Sequence, residues 1–219
     1  MDRLVIGTRR YSSWSLRGWL VVRAAGLNVQ DEVIALQGAG QTSEIHALSP
    51  NGLVPFLEHQ GAQIWESLAI CDYCAEFAPA LWPEDRIARA MARSISAEMH
   101  AGFRALRQAL PMNLGREGRP LNTMSDEVAA DIARVDRIWT EARERFGAGG
   151  ALLFGAEMTI PDIMFAPVVS RFTSYAIALS PAAEAYRLAM LSQPLMQEWA
   201  RLAAAEPEAW HLERYETVV

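Results

Sequence analysis

Apolar residues come in short runs over the first third of the chain, at 4–6, 29–36, 55–57 and 64–65, with turn chemistry or helical stretches between them. Such runs read as strands of a mixed α/β unit. Residues 15–25 are long enough for a helix, and Gly26 suits the left-handed position just past its end. Gly61 punctuates the stretch 58–62, so 55–57 and 63–65 read as a hairpin. The order predicted for this part is β-α-β-α-β-β-α.

Beyond residue 80 the period changes. Ile87, Met91, Ile95, Met99, Phe103, Leu106 and Leu110 recur every three or four positions, as do Val128, Ile132, Val135, Ile138, Ala142 and Phe146. Each series predicts a long amphipathic helix. Thr159-Ile160-Pro161-Asp162 has the form of a T-x-x-D capping box with proline in the first turn, opening a helix over 163–179. Pro79 and Pro83 fall between the two regimes. The expected organisation is therefore a mixed unit at 1–78, a linker at 79–85 and an all-helical unit at 86–219.

Composition narrows the function. A chain of 219 residues with 51% hydrophobic and 21% charged residues has the material for a sizeable core. Its net charge of −6 disfavours nucleic acid as a partner. All twenty basic residues are Arg, and none lies between Arg23 and Arg86. An anionic ligand on the first unit must be held by backbone amides, helix ends or arginines imported from elsewhere. No apolar run reaches 18 residues, and the opening apolar stretch is too short for a signal-peptide core. A cytoplasmic protein without membrane attachment is expected. Cys71 and Cys74 supply no disulfide framework and half of a structural zinc site, so no metal is expected.

Three local features carry chemistry. Ser12, Ser13 and Ser15 cluster where the first strand meets the first helix. They serve as helix caps, or as hydroxyl donors beside the positive end of a helix dipole where a thiolate would be stabilised. Val54-Pro55 precedes a strand. Proline there is either a strand's first residue or a cis bond that turns the Val54 backbone outward to pair with an extended peptide. Glu66-Ser67 sits where a strand runs into a helix. The pair caps that helix, or the acid takes an ammonium while the hydroxyl and free amides take a carboxylate.

In order and context these features resemble those of the cytosolic glutathione transferases, over essentially the whole chain. The stretch Ser12-Ser13-Trp14-Ser15-Leu16-Arg17 is similar to the S-S-C-S-W-R signature of the zeta class, with Trp14 in place of the cysteine. Val54-Pro55 matches the family's cis-proline, and Glu66-Ser67-Leu68-Ala69-Ile70 its E/Q-S-x-A-I segment. The resemblance implies a thioredoxin-like α/β N-terminal domain followed by an all-α helical bundle.

It also implies glutathione as co-substrate and a small electrophile as second substrate. Ser12, or with theta-class spacing Ser13, would donate to the glutathione sulfur. Val54 would pair with the cysteinyl backbone, and Glu66 and Ser67 would hold the γ-glutamyl end. Gln41, His46, Asn51 or an arginine from elsewhere would take the glycyl carboxylate, and Trp14, Phe103, Leu106 and Met112 are candidates for the apolar wall. The family further implies a homodimer. Glutathione-dependent isomerisation of the maleylacetoacetate isomerase kind, reductase or peroxidase chemistry, and a non-catalytic interaction module are the alternatives. Cys71 and Cys74 lie too late in the domain for a thioredoxin redox pair and read as buried structural thiols.

Overall fold

In the computed structural model, residues 2–38 and 42–218 are described. β1 (Arg3–Gly7) runs parallel to β2 (Gln30–Ile34) and antiparallel to β3 (Phe56–His59), which pairs in turn with antiparallel β4 (Ala62–Trp65). The sheet order is β2-β1-β3-β4. Strand residues alternate between its faces. Leu4, Ile6 and Leu57 enter the main core, whereas Val5 and Phe56 pack with Ile34 and Ile45 on the opposite side. α1 (Ser13–Ala24) and α3 (Ser67–Phe77) pack together, and Ile45 belongs to α2 (Ser43–Leu48). This is the thioredoxin-like arrangement expected of the first domain. Gln60 and Gly61 close the predicted hairpin with φ of 50° and 83°, the left-handed pair a two-residue turn requires.

The rest of the chain is helical: α4 (Arg86–Ala101), α5 (Arg104–Ala109), α6 (Asp126–Phe146), α7 (Ile160–Ser174), α8 (Pro181–Leu191), α9 (Pro194–Ala204) and the short α10 (Glu213–Glu216). α7 is buried along nearly its whole length and touches α1, α4 and α8, so it fastens the helices to the first domain. One continuous hydrophobic cluster runs from Leu4 and Leu16 through Phe165 and Phe172 to Trp139 and Trp199.

Several helix limits differ from the sequence expectation. The helix expected at 15–25 begins at Ser13, because Ser12 rather than a later serine is its N-cap. The apolar series from Ile87 to Leu110 is two helices, broken at Gly102 and at Phe103, whose φ of 56° is left-handed. Ile87, at the start of that series, is exposed, while Ile95 and Met99 are buried. The helix expected at 163–179 starts and stops earlier, as Ile160–Ser174. The Thr159 amide and hydroxyl both donate to Asp162 Oδ2, at 2.9 and 2.7 Å, and Leu153 N–H donates to Oδ1. Cys71 and Cys74 are free and buried, and burial raises both thiol pKa values, that of Cys74 to about 12. Among the described residues no helix is long and apolar enough to cross a membrane.

Candidate active site

Two adjoining cavities of about 330 and 340 Å³ lie where the first domain faces the helices, and Trp14, Leu53, Val54 and Arg107 line both. Ser12 and Ser13 line the first, and Glu66 and Ser67 the second. Val54 lies between them, and the Val54–Pro55 bond is cis. The three sequence features therefore converge on one composite cleft. Gly18 makes that closeness possible, since a Cβ there would stand 2.7 Å from Pro55 Cβ and push α1 off the loop.

The two serines differ in their partners. Ser12 Oγ accepts from Ser15 N–H at 3.3 Å and donates to Ser15 Oγ at 2.7 Å, and Ser15 Oγ accepts from Gly7 N–H at 2.9 Å. Ser12 is buried and ties the helix start to β1. Ser13, less buried, accepts from Arg171 Nη2 at 3.3 Å and donates to no acceptor among the described residues.

At the other end, Glu66 occupies the N-cap of α3 with φ of 68°, yet its carboxylate makes no capping bond. It faces Asn51 Nδ2 at 3.4 Å and His100 Nε2 at 3.7 Å. An acid held at a helix start without capping it, in a backbone region costly for a side chain, is a feature to explain by function. The Ser67 hydroxyl is buried at the first turn of α3 with no partner among the described residues, as is His100 Nδ1. Burial, then the Arg17 charge, lowers the His100 pKa and favours the neutral ring.

The arginines missing from the middle of the first domain are supplied by the helices. Arg107 of α5, Arg171 of α7 and Arg214 of α10 all line the first cavity, and none forms an ion pair among the described residues. Arg17 lies beneath, fully buried, donating from Nε to Met164 O at 2.9 Å. Its guanidinium is 4.5 Å from the Trp14 ring centroid, and that of Arg107 is 5.3 Å away. Burial, then repulsion from Arg171 and Arg107, lowers the Arg17 pKa to about 9.

The C-terminal segment grips the loop that carries the serines. Glu206 accepts from the amides of Arg9 and Arg10 at 2.7 and 3.2 Å. Glu216 accepts from Arg10 Nε at 2.9 Å and from the Tyr11 hydroxyl, and Tyr215 packs on the Tyr11 ring.

Of the proposed wall residues, Trp14 and Met112 line the first cavity, while Phe103 and Leu106 are buried core. The turn of α5 that reaches the cleft presents Arg107 instead. Asn51 lines the second cavity, His46 lines neither, and Gln41 lies outside the described residues.

Residues 11–76 match the family described as glutathione S-transferase, N-terminal domain. This part of the chain is therefore similar to glutathione S-transferase N-terminal domains. A maleylacetoacetate isomerase from Rattus norvegicus is 25% identical over 176 residues, covering 79% of each chain. Protein IN2-1 homolog A from Oryza sativa subsp. japonica is 27% identical over 181 residues, 79% of this chain and 69% of that one. Among solved structures, a glutathione transferase homolog from Burkholderia with bound glutathione superposes with a TM-score of 0.69 at 21% identity, covering 94% of this chain and 99% of that one. The theta class glutathione S-transferase from Xanthomonas axonopodis pv. citri with glutathione bound gives 0.65 at 22% identity, covering 91% and 98%. The glutathione transferase fold thus extends through the helical part, as the sequence resemblance implied.

Sequence reading did not single out His100, Arg107, Arg171 or Arg214. Each sits on a helix where a polar residue reads as ordinary solvated surface. The one available signal was the lack of basic residues between Arg23 and Arg86, which required cations from elsewhere.

Proposed function

We propose that the protein is a glutathione transferase that holds the glutathione thiolate beside the Ser12–Ser13 loop and directs it at a small electrophile in the interdomain cleft. The convergence of the serine loop, Val54 and Glu66–Ser67 on one composite cleft carries this reading. Glu66 takes the γ-glutamyl ammonium. Ser67, with a buried hydroxyl lacking a partner and the free amides at the start of α3, takes the adjoining carboxylate. Val54 pairs with the cysteinyl backbone, which leads the sulfur to the start of α1. There Ser13 is the hydroxyl with a proton to give, and Ser12 keeps the helix start in place.

A free thiol of pKa about 8.5 is roughly 3% ionised at pH 7, and lowering it by about two units takes about 2.7 kcal/mol. A hydroxyl bond to charged sulfur and the end of α1 supply an amount of that order. The thiolate sulfur then bonds to an electrophilic carbon, whose leaving group departs with the electron pair. Cytoplasmic residence and a homodimer accompany the reading, the latter with Trp65 and Phe77 as exposed apolar surface.

A second reading is glutathione-dependent isomerisation of an unsaturated carboxylate, in which the thiolate adds and then leaves. The relatives named maleylacetoacetate isomerase and the guanidinium groups of Arg107 and Arg214 at the cleft, which form no ion pair among the described residues, favour it. Titration calorimetry with reduced glutathione, followed by turnover of activated aryl halides and of unsaturated carboxylates, tests both. The proposal expects binding, and activity that the Ser12→Ala/Ser13→Ala double variant lacks. Absence of binding, or full activity in the double variant, contradicts it.

A further inference from the structure

We propose that Arg171 is a positioning residue for the sulfur site, orienting and polarising the Ser13 hydroxyl so that part of the stabilisation of the thiolate is delivered from the helical half of the chain. The inference rests on the glutathione reading above and adds to it a residue outside the transferase N-terminal domain.

Arg171 is almost fully buried near the end of α7. Its Nε donates to Leu110 O at 2.7 Å, Nη1 to Pro167 O at 3.2 Å and Nη2 to Ser13 Oγ at 3.3 Å. All three acceptors are neutral, and no carboxylate pairs with the guanidinium among the described residues. The two carbonyls fix its plane, which leaves the third corner aimed at the serine. Burial, then the Arg107 charge, lowers its pKa to about 10, so the cation survives at neutral pH. The other charged or titratable groups lining this cavity are Tyr11, Arg107, Arg214 and Tyr215.

A lone pair of Ser13 taken by a cation leaves the hydroxyl proton directed elsewhere and makes it a stronger donor. Ser12 has no equivalent arrangement, because its proton goes to Ser15. A purely structural role for Arg171, as a tie between α7 and Leu110, would need only Nε and Nη1.

The test is a titration of the ultraviolet thiolate absorbance in the complex with reduced glutathione, using the full chain. Against wild type, Arg171→Gln is expected to raise the bound thiol's pKa by about one unit, a roughly tenfold loss of thiolate below it, with glutathione affinity changed less than about threefold. In a Ser13→Ala background the same substitution should add little. An unchanged pKa in Arg171→Gln, or an equal shift with and without Ser13, overturns the proposal. Should Arg171→Gln not fold, Ser12→Ala and Ser13→Ala decide: the pKa must rise in the second and stay in the first, and the reverse order overturns the assignment. Failure of the glutathione reading shows separately, as a wild-type complex that does not form or whose thiol is unshifted, and the proposal falls with it.

Discussion

A hydroxyl has one proton to donate, and at Ser12 that proton is directed to Ser15 while the oxygen caps α1. Ser12→Ala should therefore act mainly on stability, by about 1 kcal/mol in thermal or denaturant unfolding. Ser13→Ala should leave stability nearly unchanged and lower kcat/KM about 10- to 100-fold, as removal of one donor to a developing or resident anion does. At the other end of the cleft, Glu66→Gln should raise the glutathione KM about tenfold with a smaller effect on kcat, since in the proposed function the carboxylate holds the peptide away from the reacting sulfur. These residues were legible because each sits in a short local pattern at a strand-to-helix junction. How the two serines differ in their hydrogen bonds was not, because that depends on Gly7 and on Arg171, 158 positions away from Ser13.

Elements begin and end where backbone groups find partners, and caps were accordingly better read than breaks. The Thr159–Asp162 box is present, and Asp162 also receives the Leu153 amide. Asp162→Ala leaves these buried donors without acceptors and should cost about 2 to 4 kcal/mol in unfolding measurements. The break at Gly102 and Phe103 escaped notice because the three-and-four spacing continues across it while the chain turns. The C-terminal segment carries no periodic signal, and its position depends on charges that meet only in the fold. Burial pushes the Glu216 pKa up, but hydrogen bonds from Arg10 and Tyr11 outweigh it and bring the value from 4.5 down to about 2. A depressed carboxylate stabilises the folded state in full above its unfolded pKa, and that contribution is lost as pH falls toward the folded one. Glu216→Gln should therefore weaken docking of 206–218 by about 1 to 2 kcal/mol at pH 7, and the difference from wild type should vanish near pH 2. Hydrogen exchange across that segment measures both.

At the scale of the molecule, neither half contains the whole site. The thioredoxin-like half brings hydroxyls, helix ends and Glu66, and the helical half brings His100, Arg107, Arg171 and Arg214. The change of period near residue 80 made the two halves legible, because strands and helices bury apolar residues at different spacings. Their junction was not, since a cation on an amphipathic helix looks alike whether it meets solvent or a cleft. A crystal structure of the protein with reduced glutathione is expected to show the γ-glutamyl end at Glu66 and Ser67 and the sulfur within about 3.5 Å of Ser13 Oγ. A sulfur out of reach of both Ser12 and Ser13, or a peptide bound outside this cleft, would contradict the proposed function.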